Sequence, residues 1–147
     1  MTKHVVIIDD DPDLLGLLTD GLALYGTYTI SACTDGESGL ATVINQRPDC
    51  IVADVMMPGL TGYQFVAALR GDPDTEHIPL IILSALVQER DKMVGLLRGA
   101  DAYLTKPVEF THLVAAIEKS ISVTSQQRTT RQQQLASSTE MNIDNID

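Results

Sequence analysis

Hydrophobic positions along the chain fall into two alternating patterns. Short, largely β-branched runs occur at His4–Ile8, Tyr28–Thr34, Cys50–Val55, Pro79–Leu83 and Ala102–Leu104, each closed by polar or turn-forming residues, as buried strands are. Between them apolar residues recur at helical spacing. Leu14, Leu15, Leu18 and Leu22 predict a helix opened by Asp11 or Pro12 and stopped at Gly26. An Asp35–Gly36 turn leads to a second helix, about Glu37 to Gln46, with Leu40, Val43 and Ile44 on one side. A third follows Gly62, carries Phe65, Val66 and Leu69, and ends at Gly71–Asp74. The fourth covers roughly Val87 to Leu97, and the last starts near Glu109 with Leu113, Ile117 and Ile121. Five strand–helix alternations with short connections imply an α/β fold, with a parallel sheet, right-handed crossovers and helices on both faces. From about Ser122 the pattern stops. The expected division is a folded domain over residues 1–122 and a polar tail or linker over 123–147, flexible or partly helical around Arg128–Leu135.

Composition narrows this picture. The 147 residues suit one domain with a single core, and with 44% hydrophobic residues, 4% aromatics and no Trp that core must be aliphatic. Parallel sheets covered on both faces have this character. A formal net charge of −10 argues against nucleic-acid binding, which needs Lys and Arg to neutralise phosphates, and against attraction to anionic lipid. No run reaches the length of a membrane span, and the N-terminus lacks a signal-peptide pattern. Cys33 and Cys50 lack metal-ligand spacing and are read as small core residues of a protein in the reducing cytoplasm.

The chemistry gathers where the strands end. Ligands of open α/β sheets bind at the carboxyl ends of the strands, and here those ends carry Asp9 and Asp10, then Asp54, Ser84 and Lys106. Converging carboxylates repel each other and must protonate or share a cation. Hard oxygen ligands with room for a phosphoryl oxygen fit Mg²⁺, with Mn²⁺ as the alternative. Asp54, flanked by apolar residues, is the candidate nucleophile for an acyl phosphate. Lys106 offers a point charge to a phosphoryl oxygen, Ser84 offers a hydroxyl, and a cis Lys106–Pro107 bond would aim the ammonium inward. Taken singly, each has a plainer reading: Asp11 as a helix cap, Ser84 as a turn residue, Lys106 as a surface lysine and Tyr103 as a core aromatic. Their joint placement at four strand ends is what those readings do not predict.

Over residues 3–121 the chain resembles the receiver domain of two-component response regulators. The resemblance rests on Ile7–Pro12, on Asp54-Val55-Met56-Met57-Pro58-Gly59-Leu60-Thr61-Gly62, on Ser84-Ala85, and on Gly99-Ala100-Asp101-Ala102-Tyr103-Leu104-Thr105-Lys106-Pro107. It implies a flavodoxin-like (βα)5 fold, a doubly wound sheet of five parallel strands in the order 2-1-3-4-5. It implies Asp54 as phospho-acceptor, Asp10 and Asp54 as direct metal carboxylates, Asp9 acting through water, and Met56 supplying its backbone carbonyl. Ser84 and Lys106 match the catalytic hydroxyl and lysine, and Ser84 with Tyr103 the switch pair. Implied partners are a sensor histidine kinase or histidine phosphotransfer protein and a downstream protein target. A phosphorylation-dependent homodimer could form through the face of fourth helix, fifth strand and fifth helix, where Arg90, Asp91, Lys92, Arg98 and Asp101 are expected. Apolar Met56 and Leu86, flanking the route of an attacking water, predict slower self-dephosphorylation than an acid or amide there would give, and the protein is expected to be a switch more than a metabolic enzyme.

Three other readings compete. A Mg²⁺-dependent phosphohydrolase would carry an acid two residues after its nucleophile, where this chain has Met56. A flavodoxin-like cofactor binder needs a Ser/Thr/Gly-rich phosphate loop where this chain has Asp9–Asp11. The chain could also be the receiver of a longer DNA-binding or enzymatic regulator; a stand-alone receiver is the slightly favoured expectation.

Overall fold

The computed structural model describes residues 2–54, 62–85 and 99–123. The predicted fourth helix, Met56, Leu86, Arg90, Asp91, Lys92, Arg98 and the tail from 124 lie outside the described residues. In chain order the elements are β1 (Lys3–Ile8), α1 (Pro12–Ala23), β2 (Tyr28–Cys33), α2 (Gly36–Gln46), β3 (Cys50–Ala53), α3 (Gly62–Arg70), β4 (Leu80–Ser84), β5 (Ala102–Thr105) and a C-terminal helix, here α4 (Phe110–Ser122). All the strand pairings are parallel, in the order β2-β1-β3-β4-β5. The expected flavodoxin-like topology is the observed one.

Pleat alternation divides the core in two. Val6, Ile8, Ile51, Ala53, Leu80 and Ile82 point to one side, where they meet Val43 of α2 and Phe65, Val66 and Leu69 of α3. Val5, Ile7, Cys50, Val52, Ile81 and Leu83 point to the other, against Leu15, Leu18 and Leu22 of α1 and Leu113 and Ile117 of α4. β3 and β4 are buried along their whole length, whereas every residue of β5 is half-buried, as befits an edge strand.

Local chemistry sets the helix ends. Asp11 caps α1, its side chain accepting from the N–H of Asp13 (3.0 Å) and Leu14 (3.3 Å) ahead of Pro12 in the first turn. Asp35, expected in a turn, caps α2 by accepting from Ser38 N–H at 2.7 Å. Gly26 has φ +70°, so the stop signal after α1 sits where a side chain would be strained.

Three expectations need correction. Ile44 is 46% exposed, because α2 packs through Gly36, Gly39 and Val43, and position 44 turns past that stripe. Cys33 is only half-buried, at the end of the edge strand β2, while Cys50 is fully buried and both thiols are free. Asp101, expected on a charged outer face, has a side chain only 3% exposed and pairs with Arg70 at 3.2 Å. Asp101 Oδ2 also accepts from Leu80 N–H at 2.8 Å, and Arg70 donates to the carbonyls of Glu76, Ile78 and Gly99. The pair ties the end of α3 to the starts of β4 and β5. A buried carboxylate holding two donors is not a surface for a partner.

Glu118 of α4 accepts from Lys3 Nζ (2.8 Å) and from Tyr28 O–H, joining the last helix to β1 and β2. These two donors hold its carboxyl below the usual range, so its contribution is present above the unfolded pKa and fades as pH falls through the lower folded value. Glu118→Gln should therefore lower denaturant midpoints at neutral pH, and the gap from the native chain should close below about pH 4.

Two helical glycines should respond oppositely to alanine. Gly16 is exposed with open space at its Cβ position, so Gly16→Ala should gain about 0.5–1 kcal/mol of stability. At Gly39 a Cβ would lie 2.4 Å from Ile8 Cδ1 and 2.7 Å from its Cγ1, and Ile8 is enclosed. Gly39→Ala should lose about 1 kcal/mol or more, read by urea unfolding.

Candidate functional site

Register alone brings the first two acids together. Ile8 pairs with Ala53 across β1 and β3, so the next residue of each strand, Asp9 and Asp54, leaves the sheet beside the other. The ladders continue one bond further and fix both backbones: Asp9 N–H donates to Cys33 O and Asp54 N–H to Ile8 O, each at 3.0 Å. On the other side Ser84 pairs with Thr105, and Lys106 N–H donates to Ser84 O at 2.8 Å. The Lys106–Pro107 bond is cis.

Carboxylate oxygens of Asp9, Asp10 and Asp54 lie within 4.8 Å of one another. Asp9 and Asp54 are buried and Asp10 is exposed. The Lys106 ammonium stands between the buried pair, 2.7 Å from Asp9 Oδ2 and 2.9 Å from Asp54 Oδ2. Its contact with Asp54 is an aligned hydrogen bond. The contact with Asp9 is an ion pair without that alignment, and among the described residues Asp9 Oδ2 accepts no hydrogen bond although it is buried. Asp9 Oδ1 accepts from the N–H of Asp11 at 2.9 Å, fixing the carboxylate's orientation. Burial opposes the lysine's charge, but the carboxylates of Asp9 and Asp54 outweigh it and hold the Lys106 pKa above the ordinary value. The ammonium is charged at any physiological pH.

Ser84 is fully buried as the last residue of β4. Tyr103 is half-buried and packs against the cluster under α2 and α3. Ile82 pairs with Tyr103 and Ser84 with Thr105, so Ser84 and Tyr103 project from the same sheet face one step apart. Asp9, Asp10, Asp54 and Lys106 therefore lie together, Ser84 ends β4 with its carbonyl bonded to Lys106 N–H, and Tyr103 lies on β5. Met56 lies outside the described residues. What the sequence did not reveal is that Lys106 reaches Asp9 as well as Asp54. No local pattern carries that contact, since it depends on two strands that are not neighbours in the sheet.

The donor set fits a hard divalent cation. Among the described residues three carboxylates gather around one ammonium, and Asp9 Oδ2 is buried there without a hydrogen bond. Such a site can hold a cation, present a carboxylate as nucleophile, and bring an ammonium and a buried hydroxyl to an incoming anion.

Comparison with known proteins identifies the family of the chain. The family described as the response regulator receiver domain matches residues 5–118. Protein PilH of Pseudomonas aeruginosa is 38% identical over 114 residues, covering 78% of this chain and 93% of PilH. The DNA-binding dual master transcriptional regulator RpaA of Synechocystis is also 38% identical over 114 residues, but these cover only 47% of RpaA. For response regulator PleD of Caulobacter vibrioides the identity is 37% over 118 residues, 26% of that protein. The chain thus spans half or less of the length of several curated relatives it matches. Among solved structures, the receiver domain of Francisella response regulator 1452 superposes with a TM-score of 0.76 at 31% identity, over 82% of this chain and 97% of that one. Chemotaxis protein CheY4 of Vibrio cholerae does so with 0.76 at 28%, over 82% and 99%. With this family match over most of its length, the chain belongs to the response regulator receiver family.

Proposed function

We propose that this receiver accepts a phosphoryl group on Asp54, in the presence of Mg²⁺, from the phosphohistidine of a sensor kinase or phosphotransfer protein, and passes the resulting state to a protein partner. The observation that carries the reading is one ammonium shared by two buried carboxylates beside a third, exposed one.

Asp9, Asp10 and Asp54 would hold the cation, with Met56 as the expected backbone ligand. Mg²⁺ supplies positive charge that screens the acids and polarises the phosphoryl group. One carboxylate oxygen of Asp54 attacks phosphorus, the P–N bond to the donor imidazole breaks, and its electron pair leaves with that ring. Lys106 is charged and already at Asp54, so it can follow a phosphoryl oxygen without first acquiring a proton. Ser84 can donate its hydroxyl to another phosphoryl oxygen. Since Tyr103 shares its face of the sheet, movement of Ser84 vacates or crowds the space the ring occupies, and the edge strand changes its outer surface. Of the face of fourth helix, fifth strand and fifth helix, β5 and α4 are the described parts. With Asp101 committed to Arg70, a homodimer or partner there would rely on other side chains.

Stand-alone action through protein contacts and service within a longer regulator both have counterparts among the relatives, since the chain covers 93% of PilH and 26% of PleD. The phosphoryl chemistry is the same in either case.

Incubation with a small-molecule phosphodonor should add one phosphate by intact mass. The gain should require Mg²⁺ and be absent in Asp54→Asn. No gain in the native chain under any divalent-ion condition would leave the fold without the proposed chemistry.

A further inference from the structure

Lys106 reaches the acids from the end of a four-residue edge strand whose positions are all half-buried. For such a strand the apolar pattern specifies register only weakly. A slip of one residue would turn Tyr103 out of its cluster, but a slip of two leaves every side chain of β5 on its own face. That slip would carry Lys106 about 7 Å along the strand, well beyond its contacts of 2.7 and 2.9 Å with Asp9 and Asp54. The ion pairs of Lys106 are poorly suited to prevent it, because in the proposed reaction the ammonium has to follow a phosphoryl oxygen. We infer that Arg70 and Asp101, at the opposite end of the sheet, are positioning residues for phosphoryl transfer: their ion pair fixes the register of β5 on β4 and thereby places Lys106 at Asp54. This rests on the reading of Asp54 as the phospho-acceptor.

The hydrogen bonds at the start of β5 show how. Asp101 N–H donates to Leu80 O at 2.8 Å, and in a parallel ladder the next bond back would run from Leu80 N–H to Gly99 O. Gly99 O accepts instead from Arg70 Nε at 2.9 Å, and Leu80 N–H donates to Asp101 Oδ2 at 2.8 Å. A side chain thus stands in for the backbone acceptor where the two strands begin. Arg70 grips both of them. Its Nη1 donates to Glu76 O (2.9 Å) and Ile78 O (2.7 Å) on the approach to β4, while Nε and Nη2 hold Gly99 O and Asp101 Oδ2 (3.2 Å) on the approach to β5. A planar guanidinium with fixed donor directions meets these four acceptors at one offset of the strands. Phe65, Val66 and Leu69 pack α3 into the core, so Arg70 does not travel with β5. The side chains of Arg70 and Asp101 are only 12% and 3% exposed, and a shifted register would leave buried charge unpaired. Setting register is a use to which buried ion pairs are suited.

The test uses the full chain as native protein, Asp101→Ala, and the double variant Arg70→Met/Asp101→Ala, which removes the pair without leaving a buried charge alone. Glu118→Gln is the control, since it weakens the fold where α4 meets β1 and β2 and not at β5. Acetyl phosphate at saturating Mg²⁺ gives the limiting rate of phosphate gain, read by intact mass on folded protein. Nuclear Overhauser contacts between Ile82 and Tyr103, and between Ser84 and Thr105, report the register. Both Asp101 variants should gain phosphate about tenfold or more slowly than native and lose those contacts, while Glu118→Gln keeps both. A folded double variant with the native rate overturns the inference. So does slowing with the native contacts intact, or equal slowing in Glu118→Gln. Should Asp101→Ala not fold, the double variant decides; should neither fold, Arg70→Lys decides by the same two readings, since it keeps the charge and loses the planar fork. If the native chain gains no phosphate, the receiver chemistry has failed, and the contacts alone then judge the register.

Discussion

Two buried carboxylates on adjacent strands must share a cation or give up charge. The pairing of Ile8 with Ala53 forces Asp9 and Asp54 side by side, and their burial removes the water that would otherwise separate their charges. Lys106 resolves this, and much of the remaining architecture can be read as the means of delivering it. The ammonium comes from the residue just after β5, two positions from β3 in the sheet, with the fully buried β4 between them. The bond from Lys106 N–H to Ser84 O then fixes the chain where it leaves the sheet.

Rigidity is distributed unevenly around this pocket. β1, β3 and β4 pack on both faces against aliphatic side chains, and Gly39 lets α2 come against Ile8 directly behind Asp9. The acids therefore stand on a frame with little freedom. β5 is different: half-buried throughout, it carries Tyr103 on one face and leads into Lys106. Its beginning is nonetheless anchored, because Arg70 holds Asp101 and the carbonyl of Gly99. A strand fixed at its start and lightly packed along its length can respond at its far end, where Ser84 and Lys106 meet the acids.

The fold was legible because its signal is periodic. Alternating apolar runs and 3.6-residue spacing gave the elements and their order, and strand ends needed only small adjustment, as when β2 closes at Cys33 and not at Thr34. The acids, Ser84 and Lys106 were legible because a parallel sheet collects its strand ends at one edge. What could not be read was which charged residues are buried and what they touch. Asp101 looks in sequence like any acid just before a strand, and only the packing of α3 on the sheet brings Arg70 to it. Ile44 shows the same limit in apolar form, since periodicity identifies a stripe but not how wide a stripe the sheet covers. The Lys106–Asp9 contact failed for a third reason, being set by distances across the sheet.

The site is self-contained while its consequences are not. Among the described residues the acids follow β1 and β3, and the ammonium paired with two of them follows β5. The same stretch accordingly matches proteins in which it makes up nearly the whole chain and others in which it makes up a quarter. Information has to leave through a surface, and the interior strands have none to offer. Among the described strands close to the proposed acceptor, only β5 has one side on the pocket and the other partly open. Whatever reads the state of Asp54 is therefore best placed to read it there, which separates two demands on the sequence. In the proposed reading, residues at the strand ends are constrained by the chemistry, and those on the outer faces of β5 and α4 are left to specify the partner.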